Sequence, residues 1–204
     1  MSGRFSSIAK ALVRSGALKF GTFKIKSGIM SPYYIDLTWL LSSPEDFMCV
    51  VDAVVEKVRD ILSSKRVDKL ASIELKGALL LPSIANKLNL PCLVVRKEEK
   101  KYGLTGRITG GTVEKGDHIL FFDDVVSSAD SKLEGIKPLE EQGGKVETVL
   151  VVVDREQGGR EKLEELGYEF HALATISEIT EDLLHAKHIT EENARQILDY
   201  IKKG

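Results

Sequence analysis

Charged residues directly follow four apolar, strand-like segments of this 204-residue sequence. The segments are LASIEL, CLVVR, HILFF and VETVLVVV, and the residues at or after their ends are Lys76-Gly77, Arg96-Lys97, Asp123-Asp124 and Asp154-Arg155. In an open parallel sheet, ligands bind beyond the carboxyl ends of the strands. The sequence therefore predicts that cations and two adjacent carboxylates meet on one rim of such a sheet.

The segment FFDDVVSSADS is the most informative of these. An apolar strand ends in two acids and passes through a small polar turn into a helix, and the turn residues are Ser127, Ser128, Ala129, Asp130 and Ser131. Hydroxyls and backbone amides at a helix N-terminus suit a phosphate group, and the two acids suit sugar hydroxyls. The alternative that these residues have a purely structural role stays open, because strands often end in aspartate and Ser-Ala-Asp-Ser is an ordinary helix N-cap.

Alternating helices and strands must position these residues. The N-terminal part predicts a helix over IAKALVRSGAL, a hairpin-like pair of strands in residues 21–37, and a long helix that begins after Ser43. Beyond it, five strand-like segments alternate with three helix-like segments, and two more helices fill residues 177–203. Near-continuous apolar strands are typical of a parallel sheet covered on both faces. The predicted fold class is α/β, with a mainly parallel central sheet flanked by helices.

A polar stretch of about twenty residues, KEEKKYGLTGRITGGTVEKGD, interrupts this alternation. Loops of this length inside compact domains are usually functional lids or disordered segments. We therefore predict a mobile lid over about residues 97–117.

Composition argues against several other classes of protein. Twenty-nine basic residues against 31 acidic ones give a formal charge of −2, so a nucleic-acid partner is not expected. No apolar run reaches the roughly 18–20 residues of a membrane span, and charged residues interrupt the N-terminus, unlike a signal peptide. Only Cys49 and Cys92 are cysteines, which argues against a disulfide scaffold or zinc cluster and favours a reducing cytoplasm.

Four blocks of the sequence resemble orotate phosphoribosyltransferases, in the order in which that family carries them. FGTFKIKSGIMSPYYIDL is similar to the family's N-terminal signature, and RKEEKKYGLTGRITG to its mobile catalytic loop. FFDDVVSSADS resembles the motif that binds 5-phosphoribosyl-1-pyrophosphate, and VVDREQGG a segment near the base site. The first two blocks are fairly specific to the orotate branch, whereas the Asp-Asp block marks only the wider type I phosphoribosyltransferases.

The resemblance implies a type I phosphoribosyltransferase-like fold, with an N-terminal hood over residues 1–40 and a core over residues 41–204. It implies transfer of the phosphoribosyl group to orotate, which gives orotidine 5′-monophosphate and pyrophosphate in UMP biosynthesis. The expected enzyme is a cytoplasmic homodimer. Mg²⁺ would be bound mainly through the substrate pyrophosphate, with no protein residue assigned as a metal ligand.

The resemblance also implies roles for residues at the pyrophosphate end. Lys26 would contact the phosphoribosyl pyrophosphate, and Lys100 would act from a lid that reaches the neighbouring subunit's site. The remaining residues of this end would bind pyrophosphate or close over it, and they are Lys76, Gly77, Arg96, Lys97 and Tyr102. Tyr102 stands where the family's lid usually carries histidine.

At the other end of the substrate, Asp123 and Asp124 would hold the ribose hydroxyls. Residues 127–131, called the phosphate turn below, would bind the 5′-phosphate. Tyr33 and Tyr34 would lie against the orotate ring, and Arg155 would meet orotate itself. The alternatives are core packing for the two tyrosines and an ion pair with a nearby glutamate for Arg155.

Two residues of the phosphate turn depart from the family's pattern. Ala129 adds a Cβ at the position of a glycine, and Asp130 adds a negative charge where a phosphate is expected. Two other functions therefore stay open. One is a catalytically weak or inactive member of the fold that binds a nucleotide or phosphoribosyl ligand in a regulatory role. The other is a phosphoribosyltransferase for another base.

Overall fold

Strands and helices alternate along the chain, as the sequence predicts. The computed structural model describes residues 2–24, 28–100 and 106–202. The strands are β1 (Leu18–Lys24), β2 (Met30–Ile35), β3 (Lys69–Ile73), β4 (Cys92–Lys100), β5 (Gly106–Thr109), β6 (His118–Val126), β7 (Lys145–Asp154) and β8 (Glu169–Thr175). The helices are α1 (Ser2–Arg14), α2 (Pro44–Leu62), α3 (Lys76–Leu88), α4 (Asp130–Glu141), α5 (Gly159–Glu165), α6 (Ile176–His185) and α7 (Glu191–Ile201).

Within the described residues, six strands form a central sheet in the order β5-β4-β3-β6-β7-β8. All neighbouring strands in it are parallel except β4 and β5, which pair antiparallel at one edge. A separate antiparallel hairpin joins β1 to β2. The parallel order brings the carboxyl ends of β3, β6 and β7 to the same edge of the sheet, which is the rim that the sequence predicts.

Helices pack on both faces of the central sheet. Successive residues of a strand point to opposite faces, so Phe122 of β6 packs in the core with α1, α2 and α3, whereas Phe121 packs with α4 and α5. Gly135 allows α4 to approach closely, because a Cβ there would lie 2.7 Å from Phe121 Cζ. This packing fixes the start of α4 beside the end of β6.

The structure differs from the sequence predictions in three places. The first helix, predicted over IAKALVRSGAL, ends at Arg14, because Leu18 begins β1. Leu37–Ser42 forms a short 3₁₀ helix, with Asp36 as its N-cap, where no element was expected. The segment predicted to be a mobile lid includes the last residues of β4 and all of β5, because β5 pairs antiparallel with β4, with Ile108 opposite Val95 and Gly106 opposite Lys100.

Among the helices that lie in the described ranges, none has the length and apolar character needed to cross a bilayer.

Candidate active site

A cleft of about 840 Å³ opens at the carboxyl rim of the sheet, between that rim and the β1–β2 hairpin. Its lining includes seven of the residues that the sequence predicts for the site. The lining residues are Lys24, Tyr33, Tyr34, Ile35, Lys76, Ser127, Ser128, Asp130, Arg155 and Gln157. The fold thus gathers residues from the hairpin, α3, the phosphate turn and the end of β7.

The acid pair lies at the end of β6 and is almost entirely buried. Asp123 is 4% exposed and Asp124 is 6% exposed. Asp123 Oδ1 accepts a hydrogen bond from the backbone N–H of Asp124 at 2.9 Å. Burial and the neighbouring charge of Asp123 raise the pKa of Asp124 to about 7, because both effects disfavour a second carboxylate.

Lys132 compensates the charge of the acid pair, and the sequence analysis did not assign it a role. Its ammonium nitrogen lies 2.8 Å from Asp123 Oδ2. A signal for it exists in the sequence, because Lys132, Ile136 and Leu139 follow the i, i+4, i+7 spacing of one helix face. All three are buried.

The phosphate turn keeps a glycine-like backbone although it contains no glycine. Ala129 has φ of 67°, in the left-handed region, and serves as the N-cap residue of α4. The helix begins at once, since the backbone amides of Lys132 and Leu133 donate to the carbonyl oxygen of Ala129. A turn of this shape at a helix N-terminus is suited to an anion.

The carboxylate of Asp130 is paired rather than free. Lys162 of α5 lies 2.6 Å from Asp130 Oδ1, and Ser128 Oγ donates to Asp130 Oδ2 at 2.8 Å. The hydrogen bond from Lys162 and then that from Ser128 lower the pKa of Asp130. The negative charge that Asp130 brings to the turn is therefore largely balanced by Lys162. Ser131, the next residue, is exposed on the first turn of α4.

Lys76 and Gly77 begin α3 next to the acid pair. A Cβ at Gly77 would lie 2.6 Å from Ser72 Oγ and would overlap Asp123 Oδ1, so glycine is required there. Lys76 Nζ lies 3.2 Å from Asp36 Oδ1. Burial opposes ionisation of Asp36, but the hydrogen bonds from Thr38 and Lys76 outweigh it and lower its pKa.

Tyr33 and Arg155 form one unit at the base end of the cleft. Tyr33 has no exposed surface, and its hydroxyl accepts a hydrogen bond from Arg155 Nε at 3.1 Å. The Tyr200 ring of α7 packs edge-on against Tyr33 at 6.0 Å between centroids. Tyr33 thus packs in the core and supports Arg155, whereas Tyr34 is 40% exposed at the cleft.

The expected pyrophosphate and lid residues are only partly described. Arg96 and Lys97 lie on β4, where the Arg96 carbonyl accepts from Arg107 Nε and the Lys97 amide donates to Glu74 Oε1. Neither Arg96 nor Lys97 is among the described residues that line the cleft. Lys26 and Tyr102 lie outside the described residues, and so does the side chain of Lys100.

Comparison with known proteins identifies the class and then the family. The fold is that of type I phosphoribosyltransferases. The chain is 35% identical to the orotate phosphoribosyltransferase of Pyrococcus horikoshii over 168 residues, which cover 82% of this chain and 89% of the relative. The chain therefore belongs to the orotate phosphoribosyltransferase family. A scan against family models finds no match.

Solved structures agree with this assignment. The orotate phosphoribosyltransferase of Aeropyrum pernix superimposes with a TM-score of 0.75 at 31% identity, over 86% of this chain and 97% of that one. The Leishmania donovani UMP synthase superimposes with a TM-score of 0.86 at 30% identity, over all of this chain. The match spans 43% of that synthase, so this chain corresponds to less than half of its length.

The left-handed backbone at Ala129 predicts that replacing this residue with glycine costs little or no stability. Ala129→Gly removes a strain of about 1–2 kcal/mol, which offsets the lost methyl packing and the added unfolded-state entropy. Ala194→Gly, at an equally buried site inside α7, lacks that relief and should lose about 1 kcal/mol. Urea unfolding should therefore show Ala129→Gly as the more stable variant by roughly 1–2 kcal/mol. Equal losses in the two variants would contradict the strain.

The raised pKa of Asp124 predicts a pH dependence of stability. Between its ordinary value and about 7, the folded chain keeps a proton that the unfolded chain has lost. The free energy of unfolding therefore falls with rising pH in this window, by at most about 1.4 kcal/mol per pH unit from this group.

Asp124→Asn should remove this contribution. Its free energy of unfolding, relative to the wild type, should rise between about pH 4 and pH 7 and level off above that. Asp60→Asn, at an exposed position of α2, serves as the control without such a trend. Urea unfolding at each pH provides the measurement, and a constant difference for Asp124→Asn would contradict a buried, protonated Asp124.

Proposed function

We propose that this chain transfers the phosphoribosyl group of 5-phosphoribosyl-1-pyrophosphate to orotate, with orotidine 5′-monophosphate and pyrophosphate as products. The observation that carries the proposal is one cleft lined by the phosphate turn and Arg155, with a buried acid pair at the end of the strand that leads into that turn, in a chain of this family. Each of these matches one part of the reactants: the 5′-phosphate, the ribose and the base. The reaction would serve pyrimidine biosynthesis.

The chemistry requires stabilisation of opposite charges at the two ends of the breaking bond. A ring nitrogen of the base attacks the anomeric carbon, and pyrophosphate leaves through an oxocarbenium-like state. Asp123 and Asp124 would hold the ribose hydroxyls and stabilise the positive sugar, while Lys76 at the cleft would bind the developing charge on pyrophosphate. Arg155 would hold orotate through its guanidinium, which suits an anionic, carbonyl-rich ring. A covalent nucleophile is not required.

Mg²⁺ fits this site as a companion of the substrate. Asp130, the carboxylate in the described lining of the cleft, is paired with Lys162. Of the acids close to the cleft, Asp36 is paired with Lys76 and Asp123 with Lys132. The other polar side chains of the described lining carry ammonium, guanidinium, hydroxyl and carboxamide groups, which suit phosphate oxygens better than a metal ion. We therefore infer that the metal ion is held mainly by the pyrophosphate oxygens. When bound, it would supply Lewis-acid stabilisation of the leaving group.

We also propose a division into hood, core and lid. The hood, residues 1–40, contributes Tyr33 and Tyr34 to the cleft. The lid, residues 97–117, would close over bound substrates and exclude water, which otherwise hydrolyses an activated sugar. Its antiparallel β4–β5 pairing gives it a stem from which Lys100 and Tyr102 would reach a site.

A homodimer completes the proposal. Large apolar side chains are exposed around the hood and the start of α3, and they are Ile29, Met30, Trp39, Leu41 and Leu75. Contact with a second copy would bury such side chains, and it would bring the lid of one chain to the cleft of the other. The free cysteines Cys49 and Cys92 support a reducing, cytoplasmic location.

The proposed reaction is tested by orotate-dependent release of pyrophosphate in the presence of Mg²⁺ and phosphoribosyl pyrophosphate. We expect release with orotate and little with uracil, hypoxanthine or adenine. Arg155→Met should lower kcat/KM for orotate about 10- to 100-fold, because a charge-assisted hydrogen bond contributes about 1.5–3 kcal/mol. Arg195→Met, at an exposed site on α7, is the matched control and should change nothing.

Equal turnover of uracil or a purine would contradict the assignment of orotate. Binding of phosphoribosyl pyrophosphate without release of pyrophosphate would favour the regulatory, non-catalytic alternative instead.

The shared lid predicts complementation between two inactive variants. Lys100→Ala should lower kcat about a hundredfold, since one lost charge contact in the transition state costs about 3 kcal/mol. Asp124→Asn should inactivate the other half of the site. Equal mixing of the two should restore about a quarter of wild-type activity, because half of the dimers are hybrids with one intact site. A fully active monomer, or no recovery after subunit exchange, would contradict the shared lid.

A further inference from the structure

Lys132 is a buried cation directly behind the site. It is the third residue of α4, and its side chain is 6% exposed. A buried lysine is rare unless it is paired. The chemistry proposed above does not use it, and the cleft lining does not include it.

All three N–H donors of the Lys132 ammonium find an acceptor inside the protein. One faces Asp123 Oδ2 at 2.8 Å, one donates to the carbonyl oxygen of Val125, and one donates to Ser131 Oγ at 3.3 Å. An ammonium has three donors and no acceptor, so its hydrogen-bonding capacity is fully used. The group therefore ties the end of β6 to the start of α4, on either side of the phosphate turn.

The same contacts fix the Asp123 carboxylate. Lys132 binds its Oδ2, while its Oδ1 accepts from the Asp124 amide and lies against Gly77. Asp123 is thus held from α4, from its own strand and from α3. A single buried carboxylate without a cation beside it would tend to take up a proton or turn away.

We propose that Lys132 is a positioning residue of this site, which holds the Asp123 carboxylate in the orientation that receives the ribose of phosphoribosyl pyrophosphate. The inference rests on the proposed function, since the ribose belongs to the proposed substrate. Lys132 does not touch that substrate, because its donors are used within the protein. It acts through Asp123, and its loss should weaken binding of the sugar phosphate and not of the base.

Lys132→Met tests this proposal, because methionine keeps an unbranched chain of similar length and removes the charge. Circular dichroism first establishes that the variant is folded. Calorimetric titration with phosphoribosyl pyrophosphate and Mg²⁺ should then show a Kd raised about tenfold or more, equivalent to about 1.4 kcal/mol. The KM for orotate should change by less than about twofold. Lys137→Met, at an exposed position on the same helix, is the matched control and should behave as wild type.

A folded Lys132→Met that binds phosphoribosyl pyrophosphate as wild type does would overturn the proposal, since a merely structural lysine would give that result. If this variant does not fold, Asp123→Asn is compared with the double variant Asp123→Asn/Lys132→Met. The double variant removes both buried charges and is expected to fold. If Lys132 acts through Asp123, the Kd of the double variant should exceed that of Asp123→Asn by less than about twofold. A further rise in Kd of about tenfold overturns the proposal.

The wild-type titration separates this inference from the proposed function. A wild-type chain that neither binds phosphoribosyl pyrophosphate nor releases pyrophosphate with orotate would refute the proposed function itself. A wild-type chain that does both, beside an unaffected Lys132→Met, would refute only the role of Lys132.

Discussion

Two adjacent carboxyl groups are buried at the end of β6, and this constraint governs the structure around them. Asp123 and Asp124 are each less than 10% exposed, and two such acids repel one another in a poorly solvated site. Lys132 of α4 lies at hydrogen-bonding distance from Asp123. Burial and Asp123 raise the pKa of Asp124, and the charges of Lys132 and of Lys76, at the start of α3, offset part of that rise. Both helices must therefore begin close to the acids, which Gly77 and Gly135 permit by lacking a Cβ.

The base end of the cleft depends on parts of the chain that are far apart in sequence. Tyr33 comes from the hairpin, Arg155 from the end of β7, and Tyr200 from the C-terminal helix. The Tyr33 hydroxyl accepts from Arg155, and Tyr200 packs edge-on against the Tyr33 ring. Gln157 completes the set by donating to the Tyr200 hydroxyl at 3.5 Å. The C-terminal helix thus supports Arg155 without lining the cleft itself.

The sequence predicts the sheet and its rim because both follow from local patterns. Apolar strands followed by charged residues place Lys76, Asp124 and Arg155 on one edge, and a small polar turn before a helix predicts the phosphate turn. The pairing of Asp130 with Lys162 was not predictable, since the two residues are 32 positions apart and meet only when α4 and α5 pack. Tyr33 illustrates the same limit, because its contacts with Arg155 and Tyr200 come from distant parts of the chain.

The burial of Lys132 could have been inferred from the sequence. Its spacing to Ile136 and Leu139 puts it on the buried face of α4, and a lysine there requires an acid nearby. The acid pair nine residues earlier supplies one. Ala129 is the opposite case: its type argues against a left-handed turn, and only the structure shows that the backbone adopts one.

A crystal structure of the chain with Mg²⁺ and phosphoribosyl pyrophosphate is the most direct measurement of how the rim binds its substrate. The predicted complex has the 5′-phosphate on the backbone amides of the phosphate turn and the ribose hydroxyls at the acid pair, with the Lys132–Asp123 contact unchanged. A ligand bound away from the phosphate turn, or a complex in which Lys132 leaves Asp123 to contact the substrate, would contradict this assignment.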